Sequence, residues 1–257
     1  MLHRIFITLL FFTLLFNQQT VRAEWFTAKS WLVSDINGTI IDGEDVDKVR
    51  PIASITKLLT VMTVLDAKQN PNESLILTTK LKDKLPSKNQ TVTRANLIMM
   101  AIVHSSNRAA YTLCEYYPGG MTACVAAMNA KLKKLKMDKS VVYEPTGLDK
   151  RNVSTASELI LLTKAATEYS EIVHASHKSE IKIQVKKKWF VFRNTNPMIG
   201  HYQNIVVSKT GFINESGGCI TLFLDTSVGE RIIVILGSKN TKTRIPEAEF
   251  IYDVYDD

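Results

Sequence analysis

Apolar residues recur along this chain in two rhythms. From Ser54 to about Lys68 the positions Ile55, Leu58, Leu59, Val61, Met62, Val64 and Leu65 cover most of a helix's circumference, which predicts a helix buried on nearly all sides. Thr93 stands where an N-cap belongs, ahead of an apolar stretch running through Leu97 to Val103. A third helix is expected after Ser105-Ser106-Asn107 and a fourth from about Met121 to Leu135. Thr155-x-x-Glu158 reads as a capping box that opens a helix to about Tyr169, and Thr241 to Tyr255 predicts a closing helix. Strand-like runs lie on either side of these. Trp31–Val33 and Thr39–Ile41 flank Asn37-Gly38, a dipeptide that favours a tight hairpin turn with both central residues at positive φ. Ile181–Val185, Trp189–Phe192, Ile205–Val207, Ile220–Leu224 and Ile232–Leu236 follow the helices. A turn containing Gly229 joins the last pair, and Lys186-Lys187-Lys188 marks another hairpin.

A strand pair in front, helices in the middle and a sheet behind give an α/β chain of the α+β type. Its sheet is expected to be mostly antiparallel and packed against a helical cluster. With 257 residues and no repeat, linker or low-complexity stretch, the chain reads as one domain from 24 to 257. Residues 1–23 stand apart. His3 and Arg4 precede an apolar run of twelve from Ile5 to Phe16, and Val21-Arg22-Ala23 gives a small-x-small cleavage pattern, the layout of a secretory signal peptide. A bilayer-crossing helix needs roughly 20 apolar residues. The protein is therefore expected in the periplasm or cell envelope, touching the membrane only if the signal stays uncleaved.

Charge changes this picture little. There are 32 basic and 25 acidic residues, a net charge of +7, and loss of Arg4 and Arg22 with the signal leaves about +5. That mild excess suits an acidic polymer, but no aromatic interleaving points to nucleic acid. The lysine-rich run from Lys131 to Lys136 closes a helical pattern and reads as a solvated face. An exported chain permits a disulfide, and Cys114 and Cys124 can meet across the turn Tyr117-Pro118-Gly119-Gly120, with Cys219 left as a buried thiol. His174-x-x-His177 has no third ligand nearby and reads as surface helix. No metal or other cofactor is expected.

Three short motifs follow one another: Ser54-Ile55-Thr56-Lys57, Ser105-Ser106-Asn107 and Lys209-Thr210-Gly211, that is S-x-x-K, S-x-N and K-T-G. Alone, S-x-x-K arises about once by chance in a chain this long. The ordered set is the signal. Residues three apart share a helix face, so Lys57 reaches the hydroxyl of Ser54 and can act as its base once burial and a second cation, Lys209, strip its proton. Ser105 can pass that proton to a leaving amine, and Asn107 offers donor and acceptor to the lysine and to a substrate amide. K-T-G on a strand edge would let an extended peptide pair there, with Gly211 leaving room for it. Lys209 and Thr210 would bind its carboxylate, and the backbone N–H groups of Ser54 and Phe212 would form an oxyanion hole.

These motifs resemble those of the low-molecular-mass penicillin-binding proteins, and more narrowly the D-alanyl-D-alanine endopeptidase branch. Glu144-Pro145-Thr146-Gly147-Leu148 and Asn194-Thr195-Asn196-Pro197 agree, and the similarity runs from about residue 25 to 240. The resemblance implies the β-lactamase/transpeptidase-like fold and a serine D,D-peptidase that forms an acyl-enzyme on Ser54. It implies peptidoglycan stem peptides as substrate, cut at the D-Ala–diaminopimelate cross-link, and β-lactams as covalent inhibitors. Carboxypeptidase relatives often carry a further C-terminal β domain, and the short stretch after Gly211 favours the endopeptidase branch. One departure is Gly218, where an arginine that could hold a substrate carboxylate is expected. The alternatives are, in order, a D-alanyl-D-alanine carboxypeptidase, a β-lactamase and a non-catalytic wall-binding protein. A β-lactamase needs an extra base, for which Glu144 is the candidate, although its surroundings read better as a structural loop.

Overall fold

The computed structural model describes residues 25–81, 85 and 90–255, so the signal segment lies outside the described residues. The chain opens with β1 (Ser30–Asp35), β2 (Ile40–Glu44) and β3 (Arg50–Pro51). A single 3-10 turn (Ala53–Ile55) then leads into α1 (Thr56–Asp66). β4 (Ser74–Ile76), β5 (Thr91–Thr93), α2 (Arg94–Val103), α3 (Asn107–Glu115), α4 (Gly120–Lys134), β6 (Val153–Ser154), α5 (Ala156–Ala166) and α6 (Ser170–Ser176) follow. β7 (Glu180–Val185), β8 (Lys188–Arg193), β9 (Ile205–Ile213), β10 (Gly217–Thr226), β11 (Gly229–Ser238) and α7 (Arg244–Tyr255) complete it.

The main sheet has the order β2-β1-β11-β10-β9, with every neighbouring pair antiparallel. β1 lies against β11, Ser30 opposite Leu236 and Asp35 opposite Arg231, so the first described strand is held by the last. β3–β6, β4–β5 and β7–β8 form separate two-stranded ribbons. The unbroken apolar run of β11 has a direct cause, because both faces of the sheet are covered. Ile232, Val234 and Leu236 face the large core shared with the helical cluster, while Ile233 and Ile235 face a second core. α7 closes that second core with Ala248, Ile251 and Tyr252, spaced as one helical stripe. At about 1.5–3 kcal/mol for each fully buried aliphatic side chain, these two layers fix the sheet's position. α1 runs through the large core with Thr56 to Val64 buried without interruption, as its all-round apolar pattern predicts.

Four local expectations need correction. At Asn37-Gly38 only Gly38 takes positive φ, +88°. The loop is longer than a two-residue turn: the Asp35 N–H donates to Thr39 O, and the Asp35 carboxylate accepts from the Asn37 and Thr39 N–H groups. An aspartate two positions upstream thus builds the turn with its side chain, leaving left-handed geometry to the glycine alone. The helix opened by Thr155 stops at Ala166, and α6 restarts at Ser170. Tyr169 between them donates its hydroxyl to Asp66 and accepts from Lys131. Lys131 therefore leaves the solvated face and pairs with Asp66 at 2.5 Å. Only half of the capping box forms. The Thr155 hydroxyl accepts from Glu158 N, but the Glu158 carboxylate turns to Lys139 N and the Ser140 hydroxyl.

Cys114, late in α3, and Cys124, in the first turns of α4, form a disulfide with Cα atoms 5.4 Å apart. Cys219 is a buried free thiol whose pKa burial pushes up. Closing so short a loop restricts the unfolded chain by about 3 kcal/mol. The Cys114→Ala/Cys124→Ala protein is expected to lose about that much stability in urea unfolding, with Cys219 resisting alkylation until the chain unfolds.

Candidate active site

The first motif sits where a strained turn enters the buried helix. Ile52 N–H donates to Asn152 O, Ala53 takes φ +45°, and Ser54 lies in the 3-10 turn immediately before α1. One turn on, Lys57 is fully buried, because α1 itself is. Its amine is enclosed by acceptors: Ser54 Oγ and Asn107 Oδ1, each at 2.7 Å, and Thr146 O at 2.5 Å. Burial brings the Lys57 amine down to about 7, against the opposing pull of the Glu144 carboxylate.

The second motif fills the turn between α2 and α3. Ser106 caps α3 by accepting from Ala109 N, and its own N–H donates to Met100 O, so Asn107 becomes the first helical residue. This turn forces Ser105 to φ +56°, a conformation L-residues rarely adopt. Strained backbone thus occurs both beside Ser54 and at Ser105. Ser105 Oγ accepts from Lys209 Nζ at 2.9 Å. Lys209, 1% exposed, also donates to Thr210 O. Burial first, and then the charges of Lys57 and Arg244, hold its amine well below the ordinary lysine range.

The third motif lies on β9, the edge strand, as expected. Gly211 packs directly on the serine turn: a Cβ there would lie 2.9 Å from Ser54 N and 3.0 Å from Ile52 O. Only glycine allows the strand this close. The Thr210 hydroxyl donates to that of Thr195 at 2.6 Å, and Phe212 is 38% exposed. Two hydrogen-bonded groups result, Ser54–Lys57–Asn107 and Ser105–Lys209–Thr210, with Gly211 packed on the serine turn and Phe212 the residue following it.

Sequence reasoning missed Arg244. From the start of α7 its Nη1 donates to Gly211 O at 2.7 Å, while its Nε, buried, has no hydrogen-bond partner. The arginine expected at 218 could not fit there, because a Cβ on Gly218 would lie 2.5 Å from Asn240 O and 3.0 Å from Arg244 Cβ. α7 occupies that space and supplies its own guanidinium. No local spacing marks Arg244; only the packing of α7 against β10 and β11 brings it to Gly211. His174 and His177 are exposed, and among the described residues no group of three His, Cys, Asp or Glu side chains is placed to hold a metal ion.

Glu144 has a full set of partners. One oxygen accepts from Thr146 N and the Thr146 hydroxyl, the other from Gly147 N, Asp149 N and Asn152 Nδ2.

This geometry can be set beside known proteins. The sequence profile of the D-alanyl-D-alanine carboxypeptidase family, peptidase family S11, matches residues 17–240. The chain belongs to this family. The S11 peptidase is similar to the D-alanyl-D-alanine endopeptidase of Pseudomonas aeruginosa, 35% identical over 229 residues that cover 85% of this chain and 74% of that one. It is also similar to the D-alanyl-D-alanine endopeptidase of Escherichia coli, 37% identical over 203 residues covering 75% and 66%. Among solved structures it resembles penicillin-binding protein D2 of Listeria monocytogenes in its cefotaxime-bound form, at 27% identity and a TM-score of 0.78, covering 89% of this chain and 97% of that one. The Streptomyces K15 DD-transpeptidase, 19% identical with a TM-score of 0.79 over 89% and 96%, shares the fold. The S11 peptidase is thus a serine-type hydrolase of the penicillin-binding fold.

Proposed function

We propose that this S11 peptidase cleaves D-alanyl peptide bonds of peptidoglycan through an ester on Ser54, and that its preferred bond is the D-Ala–diaminopimelate cross-link. The observation that carries this reading is the Lys57 amine 2.7 Å from Ser54 Oγ. When Lys57 is neutral, its two N–H groups satisfy Asn107 Oδ1 and Thr146 O, and its lone pair is left for the Ser54 proton. Serine Oγ then attacks the D-alanyl carbonyl carbon, and the developing oxyanion meets the N–H groups of Ser54 and Phe212. Ser105, linked to Lys209, gives its hydroxyl proton to the departing amine as the C–N bond breaks and takes in its place the proton that Lys57 removed from Ser54, which leaves Lys57 neutral again. Water afterwards hydrolyses the ester, with Lys57 again taking the proton. An extended stem peptide would pair with the β9 edge, and its carboxylate would meet Lys209, Thr210 and the guanidinium of Arg244.

The endopeptidase reading is favoured by the two relatives at 35% and 37% identity, both named endopeptidases, against 24–26% for the carboxypeptidases. A β-lactamase would need Glu144 free to activate water, and its oxygens are engaged. A silent wall-binding protein has no use for a buried lysine amine 2.7 Å from a serine hydroxyl. Activity in the periplasm or cell envelope fits the substrate, the signal-like residues 1–23 and the disulfide. Among the described residues no helix is long and apolar enough to cross a membrane.

The test is mass spectrometry of cross-linked muropeptide dimers digested by the protein and by Ser54→Ala. Monomers formed only with the intact serine are expected. Loss of a terminal D-alanine alone would reassign the protein as a carboxypeptidase, and unchanged dimers would overturn the peptidase reading for this substrate.

A further inference from the structure

The loop from Glu144 to Asp149 is folded around one carboxylate. Glu144 gathers the N–H groups of Thr146, Gly147 and Asp149, the Thr146 hydroxyl and the Asn152 amide. Asn152 also donates to Glu144 O, and through its own carbonyl holds Ile52, two residues before the serine. With the side chain thus bonded to the backbone of residues 146, 147 and 149, the carbonyl of Thr146 lies 2.5 Å from Lys57 Nζ and 3.5 Å from Ser54 Oγ. Gly147 meanwhile presses on the Ala53 carbonyl, so the same loop braces the serine turn.

We propose that Glu144 is a positioning residue for the Ser54–Lys57 pair: its carboxylate shapes the loop that presents the Thr146 carbonyl to the lysine amine. This rests on the acyl-enzyme reading above. Two ionisable groups face Lys57 from neighbouring elements: Glu144 from the loop, which favours the ammonium, and Lys209 from β9, whose own amine is lowered by the Lys57 charge, so that burial rather than the second lysine is what strips the Lys57 proton. Its other neighbours, Ser54 and Asn107, are neutral. A buried lysine with no carboxylate nearby would be a weak base, held neutral but without affinity for the proton it must take. One with a direct ion pair would keep its proton at neutral pH. Glu144 sits between these extremes, acting through the Thr146 peptide rather than touching the amine.

Acylation by a fluorescent penicillin, followed against pH, tests this with Glu144→Gln and Glu144→Asp beside the parent. In the parent the rate should rise as pH passes about 7, where Lys57 loses its proton. Glu144→Gln removes the charge and should move that rise about one unit or more to lower pH, while slowing acylation about 10- to 100-fold because the carbonyl is no longer held in place. Glu144→Asp keeps the charge, so its rate should fall while the rise stays where the parent has it. If both variants share the parent's profile and rate, the positioning role is wrong. If Glu144→Gln is labelled at the parent rate but retains its label, Glu144 is a deacylating base and the proposal is overturned. Should Glu144→Gln fail to fold, Thr146→Val decides, since it breaks the hydroxyl bond with the charge in place. A rate within about twofold of the parent would then dismiss the loop's role. An unlabelled parent protein would instead refute the acyl-enzyme reading, a separate failure.

Discussion

Lys57→Met is expected to slow penicillin acylation of Ser54 by about 10²–10⁴-fold, the usual contribution of a positioned general base. The substitution keeps the volume of an unbranched side chain in a site that is 0% exposed, so the helix around it should stay packed. It nevertheless leaves Asn107 Oδ1 and Thr146 O without their donor, at about 1–3 kcal/mol for each buried acceptor left unsatisfied. The more telling consequence is the pH dependence of stability. In the folded protein the Lys57 amine gives up its proton near 7, whereas in the unfolded chain it holds it until about 10.4. Between those limits the unfolded state binds more protons, so stability climbs with pH at up to about 1.4 kcal/mol per unit. Below about 7 both states are protonated and the slope vanishes. Lys209 adds a contribution of the same sign. Urea unfolding at pH 7 and pH 9 should show a clear gain for the parent and a markedly smaller one for Lys57→Met. Equal slopes would mean that Lys57 is charged in the folded site and cannot be the base.

Gly147→Ala should rank among the most damaging additions of a single methyl group. Gly147 has φ +79°, and a Cβ there would lie 1.9 Å from Ala53 O and 2.3 Å from Ala53 C. Both atoms are backbone and cannot swing aside, and Ala53 is itself held at positive φ. The left-handed conformation costs an alanine roughly 1–2 kcal/mol. Overpacking adds about 1–3 more, for a total near 2–5 kcal/mol. Relief can come only by pushing the Ala53–Ser54 turn outward, which moves the serine hydroxyl away from Lys57, and a displacement of about 1 Å can cost 100-fold in rate. Gly38→Ala is the control. It has φ +88° but nothing within 4 Å, so it should bear the strain alone and acylate like the parent. Thermal melting and fluorescent-penicillin labelling of the two proteins check this. A Gly147→Ala protein that labels normally would show the loop and the serine turn to be uncoupled.

Most of this site was legible because its chemistry is local. Ser54 and Lys57 are one helical turn apart, Ser105 and Asn107 share one inter-helix turn, and Lys209 to Gly211 share one strand, so each short motif survives as a string. The helical and strand rhythms carried the fold for the same reason. The five strands of the main sheet, the buried α1 and the Thr93 cap all follow from side-chain spacing. What escaped was non-local or lodged in a side chain's choice among partners. Arg244 belongs to the site only because α7 packs against the sheet, and the missing arginine at 218 was sought on the wrong element. Glu144 was read as structure, but the contact its loop makes, Thr146 O with Lys57 Nζ, joins residues 89 apart in the chain, and no local pattern shows it. Asp35 and Glu158 each had two plausible sets of N–H groups to bond, and periodicity does not say which set a carboxylate takes.

The two edges of the main sheet are treated differently. β2 is short, paired to β1 across an irregular register, and carries Asp42 and Glu44, features that discourage a stray strand from adding there. β9 runs nine residues, and no strand of the described residues pairs with its outer side. On the proposed reading this rim accepts an extended peptide, so those usual deterrents cannot be installed on it. The same open edge that would take a stem peptide is then equally open to a strand of another copy, and the molecule's exposure to self-association is built into its substrate groove.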